Sequence, residues 1–501
     1  MKKLLLVLLT LLYYQSALAQ APTIQWQKAF GGSEFEEATA IEKTVDNGFI
    51  IAGSTYSING NVTTNQGQAD YWVVKIDLNG NIQWQKTFGG TNDDAATSIK
   101  QTLDGGYIVS GYTLSNNGDV TNNRGSTDGW IVKLSNNGNL EWQKTIGGTG
   151  IDFAKDILQN TDNSYIVCGW TSSNNGDVTV NQGSFDLWII KLSNTGNIIW
   201  QKTFGGNGSD YARNIQKTTD GGYIIAGSSN STNGNVTGNQ GEADMWIVKL
   251  SSIGNIEWQK SYGGTKGDRA HSIKQTSDGK YIVVGQTLSS NGDVVGFQGL
   301  VDAWVLKLSN SGTIDWQKTI GTVAVEYAQD VQLTSDGNYI IAGASQSQLD
   351  NAGQYTITKL TSSGAIEWQG SYNGPDDDLP HSIKQTIDGG YIIAGRSKFN
   401  LNNNSDYDFW IVKLFPEVLN NVSFENNIVK IFPNPANSSI TVSTINNIDI
   451  TKIQIFDITG KTIYHQSLNS NTISIEKLSK GIYLLQTSIA NKELYTKFIK
   501  N

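Results

Sequence analysis

The 501-residue sequence holds one cysteine, three histidines and six prolines. One cysteine excludes an internal disulfide and any multi-cysteine metal site. Three histidines leave little room for a histidine-rich metal centre or a histidine relay. Positive charge is also short: 36 Lys+Arg against 45 Asp+Glu give a net charge of −9. Nucleic-acid binders normally carry a basic surface, so no nucleic-acid partner is expected. Past residue 19 no run reaches the ~18 consecutive apolar residues of a spanning helix, so no transmembrane segment is expected in the mature chain. Helical periodicity is missing too. In its place stand 54 glycines, 14 tryptophans and 20 tyrosines, too many aromatics for a disordered chain. Gly/Asn turns between aromatic and β-branched runs point to all-β structure. At ~100–200 residues per domain, the length allows roughly two to four domains.

The body is one unit written seven times. A Trp-Gln pair recurs at Trp26, Trp84, Trp142, Trp200, Trp258, Trp316 and Trp368, at spacings of 58 residues and finally 52. A second tryptophan opens a Trp-Ile-Val-Lys-like run at Trp72, Trp130, Trp188, Trp246, Trp304 and Trp410, with Thr356 in its place in the sixth unit. Each unit contains four strand-like runs, here a to d. In the second unit they begin at Ser98, Tyr107, Trp130 and Leu140. Asp-Gly-Gly joins a to b and Asn-Asn-Gly-Asn joins c to d, both hairpin signals because Gly and Asn accept positive φ. Seven four-stranded units predict a seven-bladed β-propeller over residues 20–415. The body starts on a d strand and ends on a c strand. Residues 22–30 are therefore expected to complete the last blade by pairing with 409–414, which removes an exposed sheet edge.

The two ends differ from the body. Residues 1–19 read as a secretory signal: Lys2 and Lys3, an apolar run from Leu4 to Tyr14, and Ala17-Leu18-Ala19 as a cleavage site. Residues 416–428 read as a linker. Residues 429–501 lose tryptophan and carry short alternating runs separated by turns, the pattern of a small immunoglobulin-like β-sandwich. Phe432-Pro433-Asn434-Pro435, then Ile455 to Gly460-Lys461, then Gly481-Ile482-Tyr483, and the ending Lys497-Phe-Ile-Lys resemble the type A C-terminal sorting domain of the bacterial type IX secretion system. The resemblance implies a Bacteroidota-type source, the type IX secretion machinery as partner through residues 429–501, and secretion or display on the outer-membrane surface. It marks Pro433, Asn434, Pro435, Gly460, Gly481 and Tyr483 as the motif. The c–d segments, such as Ile76 to Trp84, also resemble the tryptophan motif of quinoprotein propellers. Those enzymes usually have eight blades, and many carry vicinal cysteines. Seven units and one cysteine argue against a quinone dehydrogenase, so the tryptophans read as blade-to-blade packing.

The d–a and b–c connections should share one face and carry any site. The b–c loop repeats Asn-Gly-Asp/Asn-Val-Thr followed by Asn-x-Gly-x-x-Asp, at 59–70, 117–128, 175–186 and 233–244. Such oxygens could serve Ca²⁺. The favoured reading is local hydrogen bonding that holds the turn, and no metal or other cofactor is assigned. The d–a loop repeats an acid: Glu36, Asp94, Asp152, Asp210, Asp268, Glu326 and Asp378. Seven copies read as structural, because catalysis needs one asymmetric arrangement. Three residues on, the units vary: Thr39, Thr97, Lys155, Arg213, His271, Gln329 and His381. If strand a is innermost, these ring one mouth of the channel. Lys155, Arg213, His271, Gln329 and His381 are then the candidate ligand contacts, the three basic ones for a carboxylated or sulfated ligand. The alternative is that each pairs with its own blade's acid. The leading functional expectation is a non-catalytic binder of glycan, matrix or protein. A second is a polysaccharide hydrolase or lyase with loop-face carboxylates, a retaining pair lying about 5–5.5 Å apart and an inverting pair about 6.5–9.5 Å. A third is a structural cell-coat protein. The four arginines, Arg124, Arg213, Arg269 and Arg396, do not form the triad of a sialidase.

Overall fold

The computed structural model describes residues 19–346, 353–399, 406–417, 429–444, 450, 452–457, 461–467, 471–489 and 492–501. Residues 1–18 of the expected signal, 418–428 of the expected linker and Gly460 lie outside the described residues. The chain divides into two compact units, 1–417 and 418–501. In the first, seven four-stranded antiparallel sheets follow one another, each in the order a-b-c-d. Blade 1 runs through Glu36–Lys43, Phe49–Thr55, Asp70–Ile76 and Ile82–Phe88. Blade 7 has the order Ile24–Phe30, Tyr407–Leu414, Tyr391–Lys398, Leu379–Gln385. The first strand of the chain therefore completes the last blade, with Ile24 opposite Leu414 and Phe30 opposite Phe409. The a strands of neighbouring blades touch all the way round, blade 7 against blade 1 included, and so line a central channel.

Strands b and c lie between neighbouring blades on both faces. This is why they read as near-continuous apolar runs, and why every residue of Phe49–Thr55 and Asp70–Ile76 is buried. The two tryptophans have different tasks. The strand-c rings of Trp72, Trp130, Trp188, Trp246, Trp304 and Trp410 are fully buried. Trp72 Nε1 donates to Gln85 Oε1 at 2.9 Å, and Trp130 does the same to Gln143 at 2.9 Å. In blades 1 to 5 the glutamine of the Trp-Gln pair thus satisfies the indole of its own blade, as a buried N–H requires, whereas the Trp410 indole of blade 7 has no such partner. The strand-d tryptophan reaches the next blade instead, where the ring of Trp84 lies under the c–d turn at Gly138 and 5.7 Å from Tyr107. A lysine on each strand c is buried at 1–5% exposure in six of the blades, and its ammonium reaches the a–b turn aspartate, as in Lys75–Asp46 at 2.9 Å and Lys249–Asp220 at 2.8 Å. The turn aspartate therefore shapes its hairpin and also neutralises a buried cation.

The second unit packs a three-stranded sheet (Val429–Phe432, Ser439–Thr444, Thr472–Ser474) with a four-stranded one that ends in Lys492–Lys500. Ile440, Val442, Ile453, Ile455, Leu485 and Phe498 fill its core. Asn434 binds the first segment to the last strand: its Oδ1 accepts from Ile499 N at 2.9 Å, and its Nδ2 donates to Lys497 O at 3.2 Å. Gly481 opens the strand on which Tyr483 stacks against Phe498, ring centroids 5.6 Å apart.

Gly105 and Gly138 separate backbone demand from packing demand. Both have positive φ, +84° and +75°. A Cβ at Gly105 meets nothing within 4 Å, whereas one at Gly138 would lie 2.7 Å from the Trp84 ring. Each alanine variant should lose about 1–2 kcal/mol to left-handed strain. Gly138→Ala should lose about 1–3 kcal/mol more through overpacking, read by urea titration of the two variants side by side.

Candidate functional site

All seven a strands carry a β-bulge at one repeat position. The register shifts fall between Ala38 and Ala40, Ala154 and Asp156, Ala212 and Asn214, and at the matching places in the other blades. The extra residue is the variable one. A bulge re-aims a side chain that regular pleating would bury between blades. Thr39, Thr97, Lys155, Arg213, His271, Gln329 and His381 accordingly line one cavity of about 410 Å³ at the loop-face end of the channel. Below them lies a layer that stitches neighbouring blades. Asp156 accepts from Ser98 Oγ at 2.7 Å and Asn214 Nδ2 at 2.7 Å, and Asp330 accepts from Ser272 Oγ at 2.9 Å. A second cavity of about 450 Å³ continues along the channel between Glu42, Lys100, Lys274 and Lys384.

The mouth residues do not behave alike. Thr39 Oγ1 donates to Ala96 O at 2.8 Å, and Thr97 Oγ1 to Ala154 O at 3.0 Å, both on the next blade. His271 Nδ1 lies 2.9 Å from Ala328 O, a carbonyl that only accepts, so Nδ1 carries the proton. Burial, reinforced by Arg213, pushes the His271 pKa down to about 3, so this ring is neutral and not the third cation of the arc. His381 Nε2 sits 2.9 Å from Glu37 Oε1, which also receives Arg396 Nη1 at 2.8 Å. Burial would raise the Glu37 carboxyl, but His381, Arg396 and Lys155 outweigh it and hold it at about 2. Lys155 and Arg213 are different again. Neither side chain makes a hydrogen bond or ion pair with a described residue, and Arg213 Nε is buried without a partner. Burial, then Arg213, lowers the Lys155 pKa; burial, then Arg269, lowers that of Arg213. Glu37 and Arg396 escaped the sequence reading. The signal for Glu37 was available at the position after each repeated acid, where the other blades place Ala95, Phe153, Tyr211, Arg269, Tyr327 and Leu379.

The repeated d–a acids do not pair with these bases. Glu36, Asp94, Asp152, Asp210 and Asp268 are fully buried, and Glu326 and Asp378 nearly so. Asp152 Oδ2 accepts from Gly148 N at 2.8 Å and Ser173 Oγ at 2.7 Å, and Thr171 Oγ1 binds the other oxygen. Each acid thus ties its d–a loop to the end of strand b. In the b–c loops, Asn117 Oδ1 accepts from Thr91 N at 2.9 Å, and Asn239 Oδ1 from Gly241 N at 3.0 Å. The Asn117 oxygen ties its b–c loop to the preceding d–a loop, and the Asn239 oxygen closes a turn.

A second buried acid, at the start of strand c, lies beside the d–a acid of the next blade. Gly89 separates Asp70 from Asp94, and Gly147, Gly205 and Gly263 separate the corresponding pairs; a Cβ at any of them would collide with both carboxyls. One oxygen of Asp70, Asp128, Asp186 and Asp244 has no partner. Burial above all, with the neighbouring acids adding to it, raises Asp70, Asp244 and Asp408 to about 7 and Asp128 and Asp186 to about 6. These values exceed the ordinary ~3.9 of an unfolded aspartate, so the folded state holds the proton more tightly. The resulting stability is complete below about pH 4 and is lost as pH rises through 6–7. His271, depressed to about 3, works in the opposite sense below its ordinary value, but it is one group against five. The melting temperature should therefore be higher near pH 5.5 than near pH 8. Asp70→Asn combined with Asp244→Asn should flatten that slope, and a slope of the opposite sign would show these acids ionised in the fold.

These features define an all-β propeller whose channel mouth bears two cations without a direct ion pair, followed by a β-sandwich. The sandwich places it further: residues 430–501 match the family described as the secretion system C-terminal sorting domain. The chain thus carries a type IX C-terminal sorting domain, which implies that it is secreted or held at the outer-membrane surface. The regulatory protein FlaEY of Caulobacter vibrioides is 22% identical over 409 residues, 69% of this chain and 42% of that protein, so the chain spans less than half of this relative. Among solved structures, PorZ of Porphyromonas gingivalis, a surface component of the type IX secretion system, overlaps 96% of this chain and 61% of its own, at 11% identity and a TM-score of 0.43. An ulvan lyase overlaps 78% of this chain and 97% of its own, at 10% identity and a TM-score of 0.44. Likenesses this distant say nothing about what this chain binds. Among the described residues no helix is long and apolar enough to cross a membrane. Deleting residues 429–501 should leave the propeller in the periplasm, as followed by cell fractionation; arrival of the truncated chain at the surface would contradict the sorting role.

Proposed function

We propose that the propeller is a non-catalytic binding module that takes a carboxylated or sulfated ligand at the channel mouth. The observation that carries this reading is the pair Lys155 and Arg213, which face a 410 Å³ cavity with no carboxylate paired to either. Glu37 and Asp156 act on Lys155 only at a distance. Two partly desolvated cations without a direct ion pair are costly to keep, and an incoming anion would satisfy both. Binding is favoured over hydrolysis by the state of the acids. A general acid needs a raised pKa, whereas Glu37 in this cavity is held at about 2 and Asp330 is also lowered. The raised carboxyls belong to the blade junctions and do not line the cavity.

The test uses the intact secreted chain on an array of neutral, uronate and sulfated glycans, beside an assay for released or unsaturated sugars. Lys155→Thr with Arg213→Thr installs residues that the fold already accepts there as Thr39 and Thr97. Binding to anionic glycans should fall by about tenfold or more, and wild-type binding should weaken with salt. Sugar release abolished by a single loop carboxylate change would replace this reading with an enzymatic one.

A further inference from the structure

The mouth is flanked in every blade by one cross-strand pair, the residue after the buried acid on strand a and its partner on strand b. Blade by blade these are Glu37 with Ser54, Ala95 with Tyr112, Phe153 with Trp170, Tyr211 with Ser228, Arg269 with Gln286, Tyr327 with Ala344, and Leu379 with Arg396. The fold closes equally well over Ser, Ala, Gln or Arg at these places, so it does not itself require aromatics there. Blades 2 to 4 nevertheless carry a continuous arc of them. Tyr112 and Phe153 have ring centroids 4.6 Å apart, Phe153 stacks on Trp170 at 4.8 Å, and Trp170 meets Tyr211 edge-on at 5.3 Å. All four are only half-buried. The arc links two cavities. Tyr112 lines the channel mouth with Lys155 and Arg213, while Tyr211 lines a side pocket of about 330 Å³ with Arg213 and Arg269.

A ring row of this kind offers apolar faces beside fixed positive charge. Aromatic side chains that the packing does not call for, left part-exposed around a concavity, mark a binding surface. The apolar C–H faces of pyranose rings stack on such rings, and acidic substituents on the same sugars would reach the cations at either end. A small anion would use Lys155 and Arg213 and leave the arc idle. We infer that the ligand is an acidic polysaccharide lying along Tyr112, Phe153, Trp170 and Tyr211, with its carboxylates or sulfates at Lys155, Arg213 and Arg269. This rests on the binding reading above and adds the polymer and its path.

The experiment is calorimetry on the intact chain with galacturonic acid, polygalacturonate, dextran sulfate, neutral dextran and polyglutamate. The variants are Trp170→Gln and Tyr112→Ser, residues that blades 5 and 1 already place there as Gln286 and Ser54. Melting curves confirm that each variant folds. An acidic polysaccharide should bind at least about tenfold more tightly than galacturonic acid. Each aromatic substitution should remove most of that advantage, and Trp170→Gln, which lies outside the mouth cavity, should leave the monomer's affinity alone. Equal affinity for monomer and polymer, no effect of either aromatic change on a folded variant, or polyglutamate binding as tightly as the polysaccharides would each overturn the inference but leave anion binding at Lys155 and Arg213 standing. Failure of every anionic probe to bind would overturn both.

Discussion

The fold rests on one pairing made across the whole length of the propeller, Ile24–Phe30 against Tyr407–Leu414. Every other blade is completed by strands adjacent in sequence. This one is completed by a strand nearly 400 residues away, so the circle cannot close until the chain's two ends meet. Closure also explains why the a strands can line a channel at all. Each is an inner sheet edge, and only a closed ring keeps seven such edges turned toward one another and away from a second molecule. Tyr372 Oη donates to Pro22 O at 2.6 Å, and Phe415 N to Thr23 O at 3.0 Å, so the first residues are fastened on both sides of the joint.

Around that ring the repeated polar residues are spent on the scaffold. The strand-d glutamines satisfy indoles, the turn aspartates satisfy buried lysines, and the d–a acids hold loops. Buried polar groups demand partners, and a repeating fold can meet much of the demand with the same solution in most of its blades. What remains for recognition is what the repeat leaves variable: the bulge residue of strand a and the cross-strand pair above it. The asymmetry falls on one side. Blades 2 to 5 supply the aromatic arc with Lys155, Arg213 and Arg269. Blades 7 and 1 close the opposite side with the Glu37–His381–Arg396 cluster.

The blade count, strand phase and ring closure were legible because each follows from local signals repeated at fixed spacing. Asp-Gly-Gly turns are decided within four residues, and a short hairpin cannot cross from one blade to the next. The composition of the channel mouth was legible for the same reason, since the bulge position sits at a constant offset from the repeated acid. The charge state of that mouth was not. His271 reads as a base in the sequence, yet its proton is fixed by Ala328, 57 residues on, and its charge is removed by burial beside Arg213. The aromatic arc also escaped, because Tyr112, Phe153, Trp170 and Tyr211 lie on three blades and become neighbours only when strands a and b pair and the blades pack.

The sequence by itself determined the all-β class, the seven blades, their closure by the first strand, and the sorting domain, because covalent order and turn chemistry suffice for those. Only the tertiary structure decided which of many similar polar side chains are already satisfied and which are left without a direct partner. That choice depends on desolvation and on hydrogen-bond partners in other blades, distances that no spacing along the chain encodes.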